Sequence, residues 1–272
     1  ATLSNSDWPM YKGNAQRSSV SPVHLEFPLS QLWTYDTGSA PEPAWPEPGK
    51  ELHRVDFDYG YQPVVAEGRV YFGSSADDTL RCLDVQTGAM LWSFTADGPI
   101  RFAPCLSEGK LYVCSDDGFL YCLNSVSGSL VWEFRAAPDQ DQLLGNGRLI
   151  SRYPCRSGVL VRDGVAYVTA GMWPTEGVFV YAVDADTGKE LWCNDSSGNI
   201  HVDLPHALAR GFSGVAPQGY LCASGNVLLV PTGRSVPAAF DITTGRLLYY
   251  KPEKTHYQGA AYGGGVWCTA TD

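Results

Sequence analysis

Apolar residues along the chain come in short strand-length runs separated by turn residues, and no run keeps the spacing of a long helix. Pro63-Val64-Val65 is followed by Glu67-Gly68 and then Val70-Tyr71-Phe72; Ala103-Pro104-Cys105 is followed by Glu108-Gly109 and then Leu111-Tyr112-Val113. An acidic residue before glycine between two apolar runs is a hairpin signal, because glycine enters the left-handed backbone region at little cost. The same pattern predicts hairpins at Asp163-Gly164, Ser224-Gly225 and Gly264-Gly265.

About twenty residues after each of the first four hairpins comes a second kind of turn. The four copies are Leu83-Asp84-Val85-Gln86-Thr87-Gly88, Leu123-Asn124-Ser125-Val126-Ser127-Gly128, Val183-Asp184-Ala185-Asp186-Thr187-Gly188 and Phe240-Asp241-Ile242-Thr243-Thr244-Gly245. Each leads into a strand carrying a large aromatic residue: Trp92, Trp132, Trp192 and Tyr249. The Asp or Asn side chain can accept hydrogen bonds from the turn's own amides. Successive glycines stand 40, 60 and 57 residues apart, a base period near forty with two insertions. Four strands per forty-residue unit predict the blades of an all-β propeller, with the aromatic residues wedged between neighbouring blades.

The stretch Ala182-Val183-Asp184-Ala185-Asp186-Thr187-Gly188-Lys189-Glu190-Leu191-Trp192 resembles the tryptophan-docking repeat of the pyrroloquinoline quinone (PQQ)-like β-propeller family. That family includes quinoproteins and BamB-like proteins. The opening Asp7-Trp8-Pro9-Met10-Tyr11-Lys12-Gly13-Asn14 also resembles the usual start of such proteins. The likeness implies a ring of seven or eight blades, of which about four complete ones are expected here. Residues 1–61 would be an N-terminal segment supplying an outer strand at Leu32-Trp33-Thr34-Tyr35 to a closing blade; 62–257 four blades; and 258–272 the start of another. The expectation is therefore part of a larger ring, since an open propeller leaves strand edges unpaired.

Composition narrows the function classes. Of 272 residues, 19 are basic and 29 acidic, a net charge of −10, which leaves no electrostatic footprint for nucleic acid or an anionic membrane. No apolar run is long enough for a membrane-spanning helix, and the first thirty residues lack the basic-then-apolar order of a signal peptide. Eight cysteines contain no CxxC and no adjacent pair, which removes metal-finger and haem-attachment readings. Most sit in apolar runs as small buried hydrophobes; a Cys105–Cys114 bridge across one hairpin depends on register.

Candidate chemistry lies just before the first strand of each unit, where a propeller opens to its central channel. Tyr59 and Tyr61, Arg101 and Phe102, Arg152 and Tyr153, Arg210 and Phe212, and His256 and Tyr257 stand there. Arginines and aromatic faces suit an anionic or sugar-like ligand. The alternative is that they pair with acidic neighbours such as Asp56, Asp58 and Asp117 and fill the channel. For catalysis, Arg101, Arg152, His256 and Tyr257 are the candidates, with His256 or Tyr257 as general base, by analogy with carbohydrate lyases. The insertion at 139–148 is a polar loop, and His201, Asp203 and His206 in the second form a weak metal-ligand set.

The resemblance also raises a cofactor, PQQ with calcium, but quinoprotein dehydrogenases of the family carry an adjacent cysteine pair that this chain lacks. No cofactor is expected. The leading expectation is a binding or scaffold module of the bacterial envelope or periplasm. Its partners would be the remainder of the ring or another protein chain, or an anionic carbohydrate. The competing readings are a carbohydrate-active enzyme at the channel mouth and a fragment of a quinone-dependent dehydrogenase.

Overall fold

A computed structural model of the protein describes residues 3–45, 57–145, 147–203, 210–233, 235–251 and 265–271, the side chains of Val202 and Asp203 excepted. All regular structure among the described residues is β. Four antiparallel sheets of four strands follow one another along the chain, each ordered first-to-fourth as in the sequence. The first blade comprises Val64–Ala66, Arg69–Gly73, Thr79–Asp84 and Met90–Thr95. The second comprises Cys105–Ser107, Lys110–Cys114, Phe119–Asn124 and Leu130–Arg135. The third is Leu160–Arg162, Val165–Ala170, Phe179–Asp184 and Glu190–Asn194, and the fourth Cys222–Ser224, Val227–Val230, Ala238–Asp241 and Leu247–Tyr249.

Local chemistry accounts for the turns. Glu67 and Gly68 both have positive φ, 53° and 72°, which matches the two-residue hairpin loop whose twist fits the flanking strands. Glu108-Gly109 and Asp163-Gly164 repeat it. In the fourth blade Ser224 pairs with Val227, so the loop is Gly225-Asn226, one residue later than expected. At the second kind of turn, Asp84 Oδ1 accepts from the Thr87 amide (2.8 Å) and hydroxyl (2.9 Å), and Asn124, Asp184 and Asp241 do likewise.

The inner strands are buried on both faces, whereas each outer strand alternates between exposed and half-buried residues. One blade grips the next through a tryptophan. Trp92 donates its indole N–H to Ser125 O (3.2 Å), Trp132 to Ala185 O (3.2 Å) and Trp192 to Ile242 O (3.2 Å), each ring lying over the turn glycine of the following blade. The fourth ring in this series is Trp33, which donates to Val85 O (2.9 Å) and lies over Gly88. Tyr249, expected to be wedged like the tryptophans, is 51% exposed, because no later turn among the described residues covers it.

Two added hairpins, Gln142–Gly145 with Arg148–Ser151 and His201–Asp203 with Arg210–Phe212, account for the longer spacings. The N-terminal segment crosses the innermost strands: Trp8 exchanges backbone hydrogen bonds with Val65, Leu106 N donates to Pro9 O, and Ala223 N donates to Ala15 O. All eight cysteines are free. The bridge considered between Cys105 and Cys114 does not form, since Cys105 faces Tyr112 across the hairpin and Cys114 lies two residues further along.

Candidate functional site

The inner strands converge on a charged cluster formed just before they begin. Arg101 donates from Nε to Asp116 Oδ2 (2.6 Å) and from Nη1 to Asp58 Oδ2 (2.7 Å) and Glu42 O (2.6 Å). Arg156 donates from Nε to the other oxygen of Asp116 (2.7 Å). All four side chains are at most 3% exposed. Asp116 is held in the loop of the second blade by backbone bonds with Pro99 and Ser151, so one carboxylate bridges two guanidiniums at fixed geometry.

Burial opposes the charge on Arg101, but Asp116 and Asp58 outweigh it and raise its pKa. At Arg156 burial wins and lowers the pKa despite Asp116. Burial likewise pushes the Asp58 carboxyl up against the pull of Arg101. Two guanidiniums and two carboxyls cancel formally, so the cluster has no surplus charge with which to hold an anion. Its remaining capacity is one acceptor and one donor: Asp58 Oδ1 and Arg156 Nη1 are buried without a protein partner, and can serve a small neutral polar group.

An aromatic column adjoins the ions. Phe57 stacks on Phe102 (centroids 4.8 Å apart), Phe102 meets Tyr220 edge-on at 5.1 Å, and Tyr220 stacks on Tyr11 at 3.6 Å. The Tyr220 hydroxyl accepts from Ala103 N (2.7 Å), and the Arg17 guanidinium lies 5.7 Å from the Tyr220 ring. The N-terminal segment thus fills the space beside the inner strands with Tyr11 and Arg17.

Of the residues expected at the channel mouth, the described ones do not all gather at one place. Arg101 joins the cluster, paired with Asp58 as the plug alternative anticipated. Arg152 lies at the surface, pairing with Glu176 and standing 5.7 Å from the Tyr153 ring, while Tyr153 packs edge-on against Phe179. Tyr59 donates to Trp45 O and Tyr61 to Ser39 O. Arg210 and Phe212 belong to the added hairpin, with Phe212 against His201 at 5.3 Å. His256 and Tyr257 lie outside the described residues, as do Asp56 and His206, and Asp203 is described in its backbone only.

Arg156 and Asp116 were missed by sequence reasoning, although one signal was available. Arg101 stands seven residues before its hairpin turn at Glu108, and Arg156 stands seven before Asp163. Arg156, and not Arg152, is therefore the positional counterpart of Arg101; the added hairpin ending at Ser151 put Arg152 beside the wrong reference point.

A cradle for a tricarboxylic quinone with calcium needs uncommitted cations and a cluster of oxygen ligands. Among the described residues Arg101 and Arg156 are paired with Asp58 and Asp116, so neither offers an uncommitted cation to a quinone carboxylate.

A family model described as outer membrane protein assembly factor BamB matches residues 30–152 and 145–264. Among solved structures, quinohemoprotein alcohol dehydrogenase from Comamonas testosteroni is 17% identical with a TM-score of 0.65, over 91% of this chain and 41% of that one. A europium-containing methanol dehydrogenase is 15% identical with a TM-score of 0.58, over 90% of this chain and 48% of that one. BamB from Moraxella catarrhalis is 20% identical with a TM-score of 0.48, over 67% of this chain and 49% of that one. The chain spans about half the length of these proteins or less, and at such identities the likeness to the two dehydrogenases is one of fold. No curated protein sequence matches the chain significantly.

Proposed function

The chain belongs to the PQQ-like repeat propeller family whose model is described as outer membrane protein assembly factor BamB, and on that premise we propose that it is a scaffold or protein-binding module of the bacterial envelope, working without a bound quinone. The observation that carries this reading is the division between axis and rim. On the axis, Arg101 and Arg156 are consumed by Asp58 and Asp116, which leaves little chemistry for an anionic substrate. At the rim, the outer strands present apolar side chains to solvent, among them Met90, Leu91, Leu130, Val131, Leu191 and Leu248. Repeated apolar exposure on sheet-edge strands favours protein contact. The partner is the remainder of the ring or another envelope protein.

The test is photo-crosslinking in cells from a reactive residue placed at Leu91, Val131 or Leu248. Discrete protein adducts in the envelope fraction are expected. Absence of adducts at all three positions, together with saturable binding of PQQ and calcium to the purified chain, would replace this reading by the dehydrogenase one. Turnover of an acidic oligosaccharide that disappears in Arg152→Ala would replace it by the enzyme one.

A further inference from the structure

The segment 265–271 lies along the first strand of the fourth blade. Tyr220 N donates to Val266 O (3.2 Å), the Cys268 thiol to Tyr220 O (3.7 Å), and the Ser224 hydroxyl to Thr271 O (3.2 Å). The two stretches therefore run in the same direction, and Cys268 comes level with Cys222. A third stretch ties them together: Gln16 O accepts from both the Cys222 thiol (3.4 Å) and Ala270 N (3.0 Å), while Arg17 O accepts from the Thr269 hydroxyl (3.4 Å).

This parallel alignment sets the two thiols side by side, and their interaction lowers the pKa of Cys222 while raising that of Cys268, with the charge of Arg17 favouring the thiolate at both. Arg17 is 1% exposed, its Nε donates to Leu221 O (2.8 Å), and its Nη2 is buried without a partner. A buried cation thus stands near a thiol pair. Cys222 is buried, whereas Cys268 is only half-buried and open to an outside reagent.

We propose that Cys222 and Cys268 form a redox-active dithiol whose disulfide staples the segment 265–271 to the inner strand of the fourth blade. The oxidant is a small-molecule or protein disulfide. Cys268, the thiol an outside reagent can reach, gives up its proton as it attacks one sulfur of that disulfide, forming a mixed disulfide and expelling a thiolate, which takes up a proton. The Cys222 thiolate then attacks Cys268 Sγ and expels the second thiolate, which takes the proton Cys222 gave up. One disulfide forms in the protein, and the external disulfide is reduced to two thiols. The remaining cysteines lack this arrangement. Cys114 and Cys155 are both fully buried, so no outside reagent reaches either, and Cys193 is the exposed thiol.

The full chain is incubated with glutathione disulfide, quenched by alkylation under denaturing conditions and peptide-mapped by mass spectrometry. A Cys222–Cys268 cross-linked peptide is expected, two alkylated thiols fewer than in the reduced chain, and a Tm rise of roughly 5 °C or more that dithiothreitol reverses. Cys268→Ser should lose both the cross-link and the Tm rise, and in the mapping it should keep Cys222 alkylatable. The proposal is overturned if oxidation yields only mixed glutathione adducts or a Cys114–Cys155 bridge, or if the Tm rise survives in Cys268→Ser.

Discussion

Replacing Gly128 by alanine tests how one blade holds the next. Two costs are separable at this position. The backbone φ of 71° is left-handed, which costs an L-residue roughly 1–2 kcal/mol. A Cβ there also meets the Trp92 ring at 2.6 Å, and a ring pinned by its bond to Ser125 O cannot yield freely, adding roughly 1–3 kcal/mol of overpacking. Gly109 supplies the control, with φ of 74° and nothing within 4 Å of its added Cβ, so Gly109→Ala carries the backbone cost alone. Gly128→Ala should thus destabilise by roughly 2–5 kcal/mol against roughly 1–2 for Gly109→Ala, measured by urea unfolding followed by far-ultraviolet circular dichroism. In a Trp92→Ala background the steric part should vanish, leaving Gly128→Ala at roughly the Gly109→Ala value, a coupling of about 1–3 kcal/mol. Equal costs at the two glycines, or an undiminished Gly128 penalty without Trp92, would refute the interlock.

Two further outcomes follow from the buried charges. Asp116→Asn should cost about 3–5 kcal/mol in urea unfolding, because two buried guanidiniums would then share the single carboxylate of Asp58; Asp163→Asn, which removes an exposed partner of Arg162, should cost under about 1 kcal/mol. Asp117 carries a pKa pushed up to about 6 by burial, against hydrogen bonds from the Tyr121 hydroxyl and the Phe119 and Asp97 amides. An unfolded aspartate titrates near 3.9, so between about pH 4 and 6 the folded state binds more protons and unfolding free energy falls as pH rises. The Asp117 contribution is present at low pH and is lost through about pH 6, a decline of about 2–3 kcal/mol relative to Asp117→Asn, read from unfolding curves of both proteins across that range. A pH-independent difference between them would remove this account.

The blades were legible because their signals are local. A two-residue turn at Glu67-Gly68 and a side-chain-capped turn at Asp84–Gly88 depend on residues a few positions apart, and their repetition determined both the architecture and the period. The outer strand expected at Leu32-Trp33-Thr34-Tyr35 is not formed, so Trp33 was legible only as an apolar position. Its slot over Gly88 was not, since the partner turn lies more than fifty residues away.

The site was decided by convergence. Asp58, Arg101, Asp116 and Arg156 come from separate connections, and nothing in their own neighbourhoods announces that they meet. Arg152 and Arg156 both precede an inner strand, and counting back from the turn at Asp163 marks Arg156 as the counterpart of Arg101, but no count along the chain shows that both meet Asp116. By itself the amino-acid order specified sheets, turns and the aromatic clasp between blades, because backbone hydrogen bonding and turn geometry act over short chain distances. Which charges neutralise one another, and that Tyr11 and Arg17 pack beside the inner strands, was settled only when the blades packed against one another and expelled water from the groups brought together.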